Sequence, residues 1–152
     1  MIVTTPVLDN LTLNIQEDIH VHAPLAETFA ALLEQLGPSN TTPDGRSLQT
    51  RLEAWPGGRW FRDLGDGVGH FWGHVQAIKP PTLLEISGPL FMSAPVISNV
   101  QYRLTEVDGG TLIAFRHSAF GFVPDDLRGR IGVGWHFNHE QLRRRLDQTS
   151  TH

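Results

Sequence analysis

Between residues 47 and 117 the sequence is cut into short alternating runs, each ended by residues that turn the chain. Residues 47–55 stop at Pro56-Gly57-Gly58, 59–64 at Gly65-Asp66-Gly67, and 69–78 at Lys79-Pro80-Pro81. Residues 82–88 follow directly, and beyond the apolar loop 89–95 the runs 96–107 and 111–117 flank Asp108-Gly109-Gly110. Val100, Tyr102 and Leu104 alternate with Gln101, Arg103 and Thr105, the period of a strand with one buried face. Turns this tight join antiparallel neighbours. The chain is thereby committed to an antiparallel sheet whose apolar face needs a cover.

Two helices flank this series and can supply that cover. Residues 11–22 form a leading strand in which Leu11, Leu13, Ile15, Ile19 and Val21 keep one phase, with Glu17 the exception. Next, Leu25, Phe29, Leu32, Leu33 and Leu36 make one helical stripe, with Pro24 suited to the first turn and Gly37-Pro38 stopping the helix. A long second helix opens at Pro124, with Asp125 and Asp126 at the positive end of its dipole. Ile131, Trp135, Leu142 and Leu146 share its apolar face, Asn138 and His139 flank that face, and His136 lies off it. Gly129, Gly132 and Gly134 each cost roughly 1 kcal/mol against alanine inside a helix. They predict fraying, a kink, or close packing against the first half.

The length of 152 residues fits one domain, taken as 11–148 after a loose leader at 1–10. There is no cysteine, hence no disulfide framework and no thiolate chemistry. The net charge of −4 offers nothing to a nucleic acid backbone. No window approaches 18 apolar residues and the start lacks a signal-peptide pattern, so no membrane span is expected and a cytoplasmic protein is.

Five stretches, in order, resemble one family. They are VHAPLAETFAAL, PGGRW, GHFWGHVQAIKPPTLLEIS, YRLTEVDGGTLIAFRH and GVGWHFNHEQLRRRL, spread over about residues 15–146. They resemble the helix-grip fold of the START/SRPBCC superfamily and, within it, the branch called activator of heat-shock protein 90 ATPase-like. The resemblance implies an α+β fold in which a curved antiparallel sheet of six to seven strands wraps a long C-terminal helix, with a short helix after the first strand. It also implies a cavity between sheet and helix in many members. It implies no reaction, because fold analogy does not carry function.

In GVGHFWGHVQAIKPP, strict alternation sets Phe71, Gly73 and Val75 on one strand face and His70, Trp72 and His74 on the other. The first set is smaller and more apolar and is placed inward, with Gly73 as a point of close helix approach. The second set is placed on the outer face, as a homodimer or protein-partner surface; the alternative is the reversed facing, with Trp72 lining the cavity, since a single bulge would swap the faces. His70 and His74 stand about 13 Å apart at ~3.3 Å per residue, too far to share a metal. His136 and His139 have the i, i+3 spacing of a helical ligand pair, but no third ligand is signalled. His117 shares a face with Ile113 and Phe115, the side that the resemblance puts inward, as either a satisfied core histidine or the polar handle of a pocket. Facing His139, it could hold a carboxylate. Gly65-Asp66-Gly67-Val68-Gly69 joins two strands and so is no phosphate loop. Arg143-Arg144-Arg145 reads as a solvated helix face.

The leading expectation is non-catalytic binding of a small hydrophobic or amphipathic ligand between sheet and C-terminal helix. Trp60, Phe71, Phe91, Tyr102, Phe115, His117, Trp135 and His139 are the expected lining. A protein-interaction module, as in the chaperone ATPase activators, is the second expectation. An enzyme, a cyclase or hydrolase acting on a hydrophobic substrate with His117 or His139 as general base, is the third. No cofactor and no metal are expected.

Overall fold

A computed structural model describes residues 11–149; the leader assigned to 1–10 lies outside the described residues. The elements run β1 (Thr12–Val21), α1 (Leu25–Leu36), β2 (Thr50–Leu52), β3 (Arg59–Gly65), β4 (Val68–Lys79), β5 (Leu83–Gly88), β6 (Val96–Val107), β7 (Gly110–Gly121) and α2 (Asp125–Thr149). The seven strands form one antiparallel sheet in the order β1-β7-β6-β5-β4-β3-β2. Strands β2 to β7 pair with their sequence neighbours, and β1 closes the far side against β7. Both helices pack on the same side of the sheet, α2 against β1 and α1, and α1 also against β6 and β7. This is the helix-grip arrangement.

Alternation explains which face is covered. On β6, Val96, Ser98, Val100, Tyr102 and Leu104 are buried; on β7, Thr111, Ile113, Phe115, His117 and Ala119 are. Cross-strand partners Tyr102 and Phe115, and Val100 and His117, therefore stand side by side under the helices. The hairpin between these strands needs its second glycine. At Gly110 φ is 152°, and a Cβ there would come 1.9 Å from the Val21 carbonyl oxygen of β1.

Helix α1 buries Phe29, Leu32 and Leu36, with Leu25 and Leu33 packed at its margins. Pro24 stands at the N-cap, one position before the first turn, and Thr28 Oγ1 donates to its carbonyl at 2.9 Å. Gly37 ends the helix by donating its N–H to the Leu33 carbonyl at 3.0 Å. Helix α2 runs unbroken for 25 residues. Nothing beyond the helix's own neighbouring backbone lies within 4 Å of a Cβ built on Gly129, Gly132 or Gly134. Close packing therefore does not account for these glycines, and they open space beside the helix.

Two expectations fail. The strand expected over 47–55 shrinks to Thr50–Leu52. Gln49, at φ 54°, breaks the extended backbone before it. After it the chain turns, because the Glu53 carboxylate binds both the backbone N–H of Arg59 (2.8 Å) and its guanidinium (2.8 and 3.0 Å). The second failure is the facing of β4. Trp60 pairs with Gly73 and Phe61 with Phe71, so Trp72 is an extra residue in the ladder, a β-bulge. The bulge puts Trp72 and Gly73 both on the covered side, where Trp72 is buried, and turns Phe71 outward at 41% exposed. Val75 is inward and His74 outward, as alternation requires beyond the bulge. Gly73 meets strand β5, not a helix: a Cβ there would lie 2.7 Å from the Ser87 carbonyl oxygen.

Candidate functional site: a cavity beside a hydrogen-bonded core

The space between sheet and α2 has two parts. The first is closed, and its centre is Trp135, one turn before His139 on the buried face of α2. The Trp135 indole N–H donates to His117 Nδ1 at 3.0 Å, and His117 Nε2 lies 2.9 Å from Ser98 Oγ. Since Nδ1 accepts, the ring carries its proton on Nε2 and donates it to Ser98. Burial holds the His117 pKa down to about 4. His117 is thus a neutral core histidine with both nitrogens engaged.

His139 is held the same way by different partners. Its Nδ1 donates to Glu17 Oε1 at 2.6 Å, and its Nε2 lies 2.8 Å from the Tyr102 hydroxyl. His136, exposed, reaches the second Glu17 oxygen at 2.7 Å. The hydrogen bond from His139 foremost, then that from His136, holds the Glu17 carboxyl at about 2 against the opposing effect of burial. The same bond to Glu17 raises the His136 pKa. Burial pushes the Tyr102 phenol well above its usual value, and the Glu17 charge adds to this. Glu17, the break in the alternation of β1, is therefore an inward carboxylate clamped by two helix histidines. Phe115 fills the middle, its ring centroid 4.5 Å from His139, 4.7 Å from Trp135 and 5.0 Å from Tyr102. His117 and His139 do not face each other across a ligand; each is committed to its own partners.

The second part is open. A cavity of about 500 Å³ lies beneath the first half of α2. Its floor is Trp60 and Trp72, which meet edge to face at 4.9 Å, and Phe91, 5.9 Å from Trp72 and 5.6 Å from Trp135. Leu36 and Leu48 close the side toward α1, and Ile131 and Gly134 line the helix side. Trp60 is anchored by its indole N–H, which donates to the Leu36 carbonyl at 2.8 Å.

Polar side chains also enter this lining: Thr41, Thr42 and Arg130 at its edge, and Arg62, His70, Asn40 and Asn138 below and beside it. On β3 and β4, Arg62 and His70 are cross-strand partners. Arg62 Nε donates to the Leu48 carbonyl at 2.8 Å, and His70 Nδ1 accepts from the Trp72 indole at 3.1 Å. Asn40 and Asn138, both buried, meet through one hydrogen bond of 3.3 Å, from Asn138 Nδ2 to Asn40 Oδ1. Asn138 Oδ1 is buried with no hydrogen-bond partner.

The expected lining is thus divided. Trp60, Phe91 and Trp135 border the cavity. Tyr102, Phe115, His117 and His139 belong to the closed core, filled by their own contacts. Phe71 is on the opposite face, against Arg59, Phe61 and Val68, and the bulge is the reason. The same bulge dissolves the expected outer set of His70, Trp72 and His74: Trp72 is buried against the cavity, His70 borders both the cavity and the groove that holds Phe71, and His74 faces out, with Nδ1 3.0 Å from the Gly57 carbonyl. Sequence reasoning missed Glu17, Arg62, Asn40 and Asn138. The broken alternation at Glu17 and the placing of Asn138 beside the helix stripe were the available signals; nothing in the sequence marks Asn40 or Arg62. Of the arginine triplet, Arg143 pairs with Glu140 and Asp147, and Arg145 donates to Gln35. Among the described residues no group of three or more His, Cys, Asp or Glu is placed to hold a metal ion, and no helix is long and apolar enough to cross a membrane.

Solved structures of the same architecture include a protein from Rhizobium leguminosarum, at TM-score 0.70 and 19% identity over 90% of this chain and 95% of that one. A protein from Mesorhizobium loti aligns at TM-score 0.65 and 21% identity over 90% and 98%. The di-domain ARO/CYC StfQ from the steffimycin biosynthetic pathway aligns at TM-score 0.67 and 12% identity over 95% of this chain and 54% of that one. At such identities the likeness is one of fold. No curated protein matches the sequence. Residues 23–147, from the strand–helix junction to the end of the buried stripe on α2, match the family described as Activator of Hsp90 ATPase homolog 1-like protein, and the chain belongs to it.

Proposed function

We propose that the protein binds a small, largely apolar ligand in the open cavity beneath the first half of α2. The observation that carries this reading is a cavity of about 500 Å³ whose floor and walls are three tryptophans, Phe91, Leu36, Leu48 and Ile131, within the range of roughly 300–1,000 Å³ for small-molecule sites. A flat or branched apolar body buried there gains roughly 25 cal/mol per Å² removed from water. Binding is favoured over chemistry because His117 and His139, the expected general bases, stand away from the cavity with all ring nitrogens hydrogen-bonded. A protein-partner role anchored on an exposed Trp72 loses its support, since Trp72 is buried against the cavity.

Gly134 supplies the test. It borders the cavity, and a Cβ there meets nothing within 4 Å, so Gly134→Leu introduces a plug without a clash. The neutral fluorescent probe N-phenyl-1-naphthylamine should bind the wild-type protein saturably at one site. Its affinity should fall at least tenfold in Gly134→Leu, with the thermal transition unchanged or raised. Equal binding by both proteins, or none by the wild type, rejects this reading.

A further inference from the structure

We propose that the ligand of this cavity is an organic monoanion: an aromatic or polycyclic carboxylate whose acid group sits on Arg62 and whose distal end carries a hydroxyl read by Asn138. This rests on the proposed function and adds the chemistry of the polar end.

The charge balance of the cavity carries the inference. Arg62, Arg130 and His70 border it, and no aspartate or glutamate does, although the whole chain is acidic at −4. Arg130 is already paired with Asp126 at 3.2 Å, out in solvent. Arg62 has no carboxylate partner among the described residues; its one hydrogen bond uses Nε, toward the Leu48 carbonyl at 2.8 Å. That leaves the two terminal nitrogens, the fork that meets a carboxylate through two parallel bonds. A half-buried guanidinium pinned at Nε is oriented before a ligand arrives, which spares the binding step much of the ordering cost. One unpaired guanidinium matches one negative charge, so a monoanion fits better than a phosphate dianion.

His70 adds a donor beside it. Its Nδ1 accepts the Trp72 indole proton at 3.1 Å, so a neutral ring carries its hydrogen on Nε2. The cross-strand pairing with Arg62 sets the two side chains side by side at the border of the cavity. The carboxamides speak for the other end of the ligand. Two facing carboxamides can exchange two hydrogen bonds, but Asn40 and Asn138 make one, at 3.3 Å, and Asn138 Oδ1 is left buried without a donor. A buried acceptor in that state is costly, and a ligand hydroxyl would relieve it. Trp60, Trp72, Phe91 and Trp135 then hold the flat body between the two ends.

The experiment compares two isosteric probes, 2-naphthoate and neutral 2-naphthamide, by titration calorimetry against the wild-type protein, Arg62→Gln and Arg62→Lys. In the wild type the acid should bind at least tenfold tighter than the amide, and only the acid should weaken between 50 and 500 mM NaCl. Arg62→Gln should abolish the difference by weakening the acid while leaving the amide, which then also reports that the variant is folded. Arg62→Lys should keep part of the preference. A third probe, 6-hydroxy-2-naphthoate, should exceed 2-naphthoate in the wild type and lose that advantage in Asn138→Leu. Equal binding of acid and amide with no salt effect, or an acid preference that survives Arg62→Gln, overturns the proposal while leaving the apolar cavity reading intact. Failure of both naphthyl probes together with N-phenyl-1-naphthylamine would instead sink the cavity reading itself.

Discussion

The two halves of the space under α2 are built from the same kinds of residue and end up with opposite properties. In the closed half, every polar atom of His117, His139 and Tyr102 faces a partner at 2.6–3.0 Å, and Phe115 fills what remains. In the open half, three tryptophans and a phenylalanine border about 500 Å³ of space, with an Asn138 oxygen that has no hydrogen-bond partner and an arginine that has no carboxylate partner among the described residues. Aromatic and histidine content alone does not make a pocket. What separates the halves is whether α2 presents bulk or its absence: Trp135 and His139 fill the first, while Gly134 leaves room beside the second.

Four measurements break or sharpen this contrast. Truncating the closed half should cost most: Phe115→Ala should lower unfolding stability by about 3–5 kcal/mol in urea titrations, the usual range for a buried phenylalanine. Acid should attack the same half. An unfolded histidine takes up a proton near 6.5 and the folded His117 only near 4, so between these values the unfolded chain binds more protons and stability falls as pH falls. The loss amounts to about 3 kcal/mol over the full interval. Glu17 works in the same direction lower down, its contribution present above 4.5 and lost as pH falls toward 2. His136 works the other way, its contribution present below 6.5 and lost as pH rises through its raised value, but it is solvent-exposed and adds little. In His117→Gln the slope of urea midpoint against pH between 6.5 and 4.5 should flatten.

Third, Glu17→Ala should cost about 1.5–3 kcal/mol, the range for a hydrogen bond to a charged group, and should leave ligand titrations unchanged because Glu17 does not border the cavity. A change in affinity would mean that the two halves communicate. The smallest effect belongs to Phe71→Ser on the outer face, expected within about 0.5 kcal/mol of the wild type and silent in binding.

The fold was legible because most strands announced themselves twice, by alternation and by the turn residues at their ends, with β2 the exception. Asp108-Gly109-Gly110 fixed the last hairpin to within a residue, and the stripe Ile131, Trp135, Leu142 and Leu146 chose the buried face of α2 correctly. The site was less legible for two physical reasons. Alternation assigns faces only while the ladder is regular, and the extra residue at Trp72 reversed His70 and Phe71 together. Periodicity also says that Tyr102, Phe115, His117 and His139 point inward without saying whether they meet each other or a void; that depends on hydrogen-bond partners up to 122 residues distant in the chain, as Glu17 is from His139.

The bulge in β4 has a consequence for how such a protein changes its ligand. A regular strand of identical composition would carry Phe71 under the helix and expel His70 and Trp72, exchanging an imidazole and an indole for a phenyl ring without altering a single side chain. The chemistry of the cavity lining is thus partly written in the main chain. A shift of one ladder position between β3 and β4 would change the lining from imidazole and indole to phenyl, a route to a different cavity inside one architecture that comparison of aligned residues would not reveal.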